Sequence, residues 1–129
     1  MSTKDLKFTE KHEWANVNGN IATFGITDYA QHQFGDIVFI ELPTMGKSFS
    51  KGAACANIES VKAVADMYAP VSGEVTEVNS SLENAPEQIN KEPYGAGWVC
   101  KVKMADAAEL DSLMDESAYE NYVKSVEEK

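Results

Sequence analysis

The chain has 129 residues and a formal net charge of -10, with 21 acidic residues against 11 basic ones that are all lysine. This length fits one domain of ordinary size, and an apolar content of 43% is typical of a globular protein. The acid excess and the lack of arginine argue against binding to nucleic acid or to an anionic membrane, because both are polyanions. No apolar run reaches the roughly 18 residues that a membrane-spanning helix needs.

The cysteines and histidines form no recognisable reactive motif. Cys55 and Cys100 lie far apart, so a single disulfide between them is formally possible but no metal or redox spacing is present. His12 and His32 lack the partner pattern of a hydrolase, and the four residues together do not have the spacing of a zinc site. The N-terminal sequence has no apolar segment of a signal peptide, which predicts a cytoplasmic location, or the mitochondrial matrix for a processed eukaryotic chain.

Short apolar runs separated by Gly, Asn and Pro predict a mainly β fold for the first 104 residues. A short helix is predicted near residues 28–34, because Thr27 or Asp28 can cap its N-terminus and Gly35 can end it in the left-handed conformation. The predicted strands cover residues 6–8, 14–16, 21–26, 37–40, 74–78 and 98–104.

Two of these strands supply most of the predicted core. Residues 37–40, Ile-Val-Phe-Ile, are typical of a strand that is buried on both faces, and residues 98–104 alternate as in a half-buried strand. The residues expected to be buried are Ile37, Val38, Phe39, Ile40, Val75, Trp98, Cys100 and Val102.

The C-terminal segment is predicted to be helical and acidic. Asp106 with Glu109 resembles a capping box, and Asp115 can cap a second helix. The apolar stripe of that helix contains Tyr119, Tyr122, Val123 and Val126, which favours an amphipathic cover on the β core over a dedicated partner-binding tail. We therefore expect a single domain over residues 1–129, with a β core over 6–104 and an acidic helical tail over 106–127.

Residues 53–69, AACANIESVKAVADMYA, are ambiguous. Their apolar positions fit one face of a helix, but they also alternate as in two strands. A hairpin would need a tight turn near residues 60–62, where Ser-Val-Lys replaces the Asn-Gly or Gly that favoured hairpin turns require. Taken alone, the pattern favours a helix.

Motifs along most of the chain resemble those of the H proteins of the glycine cleavage system, which are lipoyl carriers. The resemblance covers roughly residues 6–123 and implies a lipoyl/biotinyl-type barrel-sandwich of two small antiparallel sheets. It also implies that residues 53–69 form a hairpin with Lys62 at its tip, in place of the helix. The motifs are HEW at 12–14, GITD at 25–28, GDIVF at 35–39, ELP at 41–43, ESVKA at 59–63, APVSGEV at 69–75 and GW at 97–98.

The resemblance further implies a carrier without catalytic residues of its own. Lipoate would be attached covalently to Lys62 by a lipoate ligase or a lipoyl/octanoyl transferase. The arm would take the aminomethyl group of glycine from glycine decarboxylase to the aminomethyltransferase, and the resulting dithiol would be reoxidised by dihydrolipoamide dehydrogenase. Such a role belongs to glycine catabolism and one-carbon metabolism.

Two carboxylates match family positions that line a cleft for the loaded arm, namely Glu13 and Asp66. A carboxylate suits that position because it can pair with the cationic amine of the aminomethyl group. Lys11 stands where some relatives have a small hydroxyl residue, and its ammonium cannot accept a hydrogen bond.

Two other classes of function stay open at this point. A lipoyl or biotinyl carrier of another multienzyme complex, or a lipoate relay, would keep Lys62 and change the partners. An interaction module would keep the fold and leave Lys62 unmodified.

Overall fold

A computed structural model describes residues 5–127, which form two antiparallel sheets and several short helices. The strands are β1 (Lys7–Phe8), β2 (Glu13–Asn18), β3 (Ile21–Ile26), β4 (Ile37–Glu41), β5 (Ser48–Phe49), β6 (Ala54–Ser60), β7 (Val64–Tyr68), β8 (Gly73–Val78) and β9 (Cys100–Met104). The larger sheet has the strand order β1-β2-β3-β9-β8-β5 and the smaller one β4-β6-β7. The α-helices are α1 (Asp28–Phe34), α2 (Gln88–Lys91) and α3 (Glu116–Glu127), and 3-10 turns span Ser80–Glu83 and Ala107–Ser112.

Both sheets contribute to one apolar core, in which Phe24 and Val102 of the larger sheet join Ile58 and Met67 of the smaller one. A second cluster fixes α3 to the larger sheet: Tyr119 stacks on Phe8 with ring centroids 4.6 Å apart. This helix is therefore a cover on the β core, as its apolar stripe predicts.

The sequence signals for α1 are confirmed. Thr27 Oγ1 accepts a hydrogen bond from Ala30 N at 3.2 Å, which satisfies one of the first amides of the helix. Gly35 ends the helix as predicted, with a φ of 77° and a ψ of -156°, a positive-φ conformation that glycine adopts without steric cost although it is not the left-handed helical one.

The predicted burial of residues 37–40 on both faces is wrong for Val38 and Phe39, which are each 50% exposed, although Ile37 and Ile40 are buried. The pairing of β4 with β6 shifts between Ile37 and Phe39, so that the strand has a bulge at this point. A bulge interrupts the alternation of side chains, which is why two neighbouring residues are both exposed.

The strand predicted over residues 98–104 begins only at Cys100, and Trp98 is half-buried instead of belonging to the core. Val99 is fully buried in its place, and its backbone amide donates to Phe24 O at 2.8 Å. Cys100 and Val102 are buried as predicted. The expected alternation therefore holds from Cys100 onwards and fails only for the two residues before the strand.

The C-terminal caps are only partly as predicted. Asp106 Oδ1 accepts from Ala108 N and Asp115 Oδ1 accepts from Ala118 N, so both residues begin a helical segment. Glu109 does not complete a capping box, because its two carboxylate oxygens accept from Ser72 N at 2.7 Å and from Ser72 Oγ at 2.8 Å. The tertiary contact between Glu109 and Ser72 thus replaces the predicted local contact between Glu109 and the backbone at Asp106.

Both cysteines are buried and reduced. Burial raises the pKa of the Cys55 thiol to about 12 and also raises the pKa of Cys100. These thiols are consequently unreactive core residues in the folded protein. None of the helices within residues 5–127 has the length and apolarity needed to cross a bilayer.

The contrast between Phe24 and Phe39 gives a test of the core. Phe24 is 1% exposed, so Phe24→Ala should lower the free energy of unfolding by about 3–5 kcal/mol. Phe39 is half exposed, and Phe39→Ala should cost no more than about 1 kcal/mol. Denaturant unfolding of both variants measures this difference, and equal losses would contradict the assignment of Phe39 to the surface.

Candidate functional site

Residues 53–69 form a hairpin of β6 and β7, so the helix that their pattern favours is wrong and the hairpin implied by the family resemblance is confirmed. Glu59 pairs with Val64, Ile58 with Ala65 and Asn57 with Asp66. Ile58 and Met67 point into the core, whereas Val61 is 71% exposed. The apolar residues that would line one helix face are therefore divided between the core and the solvent.

The turn between these strands depends on the side chain of Ser60. The Ser60 hydroxyl accepts from Ala63 N at 3.0 Å and from Lys62 N at 3.3 Å, and it donates to Ala63 O. Ser60 N also donates to Ala63 O at 2.8 Å. Because Val61 and Lys62 keep negative φ angles, this turn does not need the Gly or Asn of the common hairpin turns.

Lys62 lies at the tip, where its side chain is exposed. Its stem passes over Gly35, since a Cβ built at that glycine would lie 3.4 Å from Lys62 Cε. The neighbouring Val61 N donates to Asp36 O at 3.1 Å, which ties the tip to the segment after α1. Among residues 5–127 no carboxylate lies within ion-pairing distance of the Lys62 amine.

Asn90 fixes the segment on which Lys62 rests, and sequence reasoning gave it no such role. Its amide nitrogen donates to Gly35 O at 2.8 Å and to Gln31 Oε1 at 2.9 Å, and its Oδ1 accepts from Ile37 N at 2.9 Å. The three partners lie at the end of α1 and the start of β4. Asn90 lies in the short helix α2, and nothing in its neighbouring residues indicates a contact 53 to 59 positions away.

Glu13 is a buried carboxylate, 3% exposed, with both oxygens in hydrogen bonds. Oε1 accepts from Thr9 Oγ1 at 2.6 Å, and Oε2 accepts from Tyr68 N at 3.2 Å on β7. Burial raises the pKa of Glu13, while these two hydrogen bonds and the charge of Lys11 oppose the rise. Glu13 thus receives a hydroxyl hydrogen bond from Thr9, while Lys11 places its Nζ 4.9 Å from the centre of the Tyr68 ring.

Asp66 differs from Glu13 in being exposed to solvent. Its Oδ1 accepts from Asn57 Nδ2 at 3.0 Å across the hairpin. Asp66 lines an open cavity of about 410 Å³ together with Glu41, Lys47, Phe49 and Cys55, but Glu13 is not part of that lining. The two carboxylates are connected through β7, where Glu13 binds the backbone at Tyr68, two residues from Asp66.

His12 is a structural residue next to this region. Its Nδ1 lies 2.8 Å from the Tyr119 hydroxyl, which in turn is 2.7 Å from Thr27 Oγ1. Burial lowers the pKa of His12 and raises that of Tyr119, so the link is between neutral groups at neutral pH. In the part of the chain that the structure describes, no three His, Cys, Asp or Glu residues are grouped as metal ligands.

An exposed lysine on a turn held from both sides is the arrangement of a carrier protein, which presents one amine while its backbone stays fixed. The family model of the glycine cleavage H-protein matches residues 6–126. The chain therefore belongs to the glycine cleavage H-protein family. It is a lipoyl carrier of glycine cleavage and not one of the catalytic subunits.

Individual relatives agree with this assignment. The glycine cleavage system H protein of Parvibaculum lavamentivorans is 53% identical over 123 residues, covering 95% of this chain and 98% of the relative. That of Thermotoga maritima is 49% identical over 119 residues, with 92% and 96% covered. The crystal structure of the H protein from Mycobacterium marinum superimposes with a TM-score of 0.83 at 34% identity and covers 95% and 96% of the two chains. The predicted two-sheet fold and family are confirmed.

The Ser60 contacts predict the effect of removing the hydroxyl. Ser60→Ala should lower the free energy of unfolding by about 1 kcal/mol and speed hydrogen exchange at the Lys62 and Ala63 amides, which lose their acceptor. Ser48→Ala, on an exposed serine of β5, is the matched control and should change neither quantity. Unchanged exchange at Ala63 in the Ser60 variant would contradict this account of the turn.

Proposed function

We propose that Lys62 is the residue to which lipoate is attached. The observation that carries the proposal is the geometry of the tip, where the amine is exposed and unpaired among residues 5–127 while Ser60 and Asp36 hold its backbone. The site fits such a group because the lysine stem lies along the backbone at Gly35 and its amine is exposed to solvent. When bound, lipoate supplies the disulfide that accepts the aminomethyl group of glycine.

The contribution of this chain is to present and confine the arm. The hairpin is paired with β4 along Ile58 and Glu59, so the sheet supports the backbone of the tip. The exposed side chain of Lys62 extends beyond this support. A short tether of this kind keeps the reactive end at a high effective concentration near a docked enzyme.

The proposed partners are those of the glycine cleavage cycle. They are glycine decarboxylase, the aminomethyltransferase and dihydrolipoamide dehydrogenase, with a lipoate ligase or lipoyl/octanoyl transferase for attachment. The relatives are glycine cleavage system H proteins, which supports this set, and their bacterial origin favours a cytoplasmic location. The alternative is a role as the carrier of another lipoyl-dependent complex. In that case the lipoylated chain would serve the enzymes of that complex and not those of glycine cleavage.

Attachment is tested by intact mass. Co-expression with a lipoate ligase should add one lipoyl group to the wild-type chain and none to Lys62→Arg, because the guanidinium does not form the amide. Lys103→Arg, which changes an exposed lysine on β9, should still gain the full increment. Both variants should unfold like the wild type, since exposed side chains contribute little packing energy. A lipoyl peptide that maps to any other lysine would refute the assignment.

We further propose that Glu13 and Asp66 stabilise the loaded state of the arm. Two observations support this role. Asp66 is exposed and lines the cavity, and Glu13 accepts a hydrogen bond from Tyr68 N on β7, two residues from Asp66. The loaded arm carries an ammonium that the oxidised arm lacks. A hydrogen bond between charged groups contributes roughly 1.5–3 kcal/mol when shielded and less at a wet surface.

The test is the lifetime of the loaded protein without the transferase. Glu13→Gln with Asp66→Asn should speed the release of formaldehyde about tenfold, the rate equivalent of ~1.4 kcal/mol, while lipoylation stays unchanged. The single variants separate the two contributions, and Glu74→Gln on β8 is a control for an exposed carboxylate. If the double variant and the control have the same lifetime, both carboxylates are unrelated to the loaded state.

A further inference from the structure

Exposed large apolar side chains are concentrated around Lys62. Within residues 5–127, five such residues are 50% or more exposed, and four of them lie on β4 or the β6–β7 hairpin. These four, which we name the tip patch, are Val38, Phe39, Val61 and Val64. The fifth, Met45, is 61% exposed and lies in the loop between β4 and β5.

The register of the smaller sheet makes the tip patch continuous. Phe39 pairs with Glu59, and Glu59 pairs with Val64, so the three residues form one row across β4, β6 and β7. The bulge in β4 exposes Val38 beside Phe39, and Val61 precedes Lys62 in the turn. A contiguous apolar surface of this kind marks a site of interaction, whereas single exposed apolar residues do not.

Acidic groups surround the tip patch. The next row on the same face of the sheet, two residues along each strand, contains Glu41, Asn57 and Asp66, and Glu59 lies within the row of Phe39. Lys62 is the only basic residue in β4, β6, β7 and the turn between them. Amidation would remove that positive charge, so acidic side chains would predominate around the apolar centre, with Lys47 beside Glu41 and Asp66 in the adjoining cavity.

We infer that the tip patch is a docking surface for the enzyme that receives the arm, and that this enzyme has an apolar depression bordered by lysine or arginine. The inference rests on the proposed attachment at Lys62. Phe39 is the expected anchor, because a large aromatic side chain at the centre of an interface carries much of the binding energy. The acidic border would accelerate the encounter and select basic partners.

The same charges argue against a second copy of this chain as the occupant. Two tip patches placed face to face would bring Glu41, Glu59 and Asp66 against one another. Like charges opposed across an interface disfavour that partner. The net charge of -10 adds repulsion at longer range.

Docking can be measured separately from the arm by using a chain that cannot be modified. Lys62→Gln carries a neutral amide at the tip, as the modified lysine does, and takes no lipoate. It should inhibit glycine decarboxylase competitively against the lipoylated wild-type chain, with release of carbon dioxide from glycine as the readout. Adding Phe39→Ser should raise the inhibition constant by about tenfold, or ~1.4 kcal/mol of docking energy.

The matched control is Lys62→Gln with Met45→Ser, which removes an equally exposed apolar side chain outside the tip patch. It should inhibit as strongly as Lys62→Gln alone, and added salt should weaken both because the border is charged. Equal inhibition by the Phe39 and Met45 variants, or no inhibition by Lys62→Gln, would overturn the inference.

Two further measurements separate the remaining explanations. Intact mass of Phe39→Ser should show complete lipoylation, so a failure of attachment at Lys62 cannot be confused with a failure of docking. Analytical ultracentrifugation of the wild-type chain should show one species at all concentrations. A dimer that disappears in Phe39→Ser would overturn the inference in favour of a second copy as the occupant.

Discussion

The presentation of Lys62 depends on the hydroxyl of Ser60. A hairpin normally turns through residues that tolerate positive φ, but this one turns through Val61 and Lys62, both with negative φ. The Ser60 side chain makes this possible by binding two backbone amides of the turn while it remains buried. The tip can therefore hold a lysine without the conformational freedom that glycine would bring.

The turn also requires that the segment it contacts, residues 35–37, be held in place. Asn90, which is distant in sequence, does this. Asn90 binds Gly35 and Ile37, and Asp36 between them accepts from Val61 N. Each of these bonds uses a backbone group that would otherwise lack a partner where α1 gives way to β4. Rigidity at the tip is thus a property of the smaller sheet and of α1 together, and the long side chain of Lys62 keeps its rotational freedom.

The sequence predicts the elements whose signals are local and misses those that tertiary contacts decide. Thr27 and Gly35 delimit α1 as expected, because capping involves only neighbouring residues. Glu109 has the right spacing for a capping box, yet Ser72 binds its carboxylate. For residues 53–69 the pattern favours a helix, and only the family resemblance indicates the hairpin. The exposure of Phe39 depends on a bulge in β4 that the residue types in this strand do not predict.

Exposed apolar side chains near the tip can bind a partner enzyme, but they also favour association between copies of the chain. Four large apolar residues in contact with water would promote self-association, since burying them against any apolar surface is favourable. The carboxylates placed among them oppose contact between two identical chains, but they do not oppose a basic partner. In the proposed modified state their effect would increase, because the one lysine of β4, β6, β7 and the turn between them would then be neutral. Covalent modification would consequently change the charge of the surface as well as its chemistry, so that an enzyme with a basic border could distinguish the modified carrier from the unmodified one.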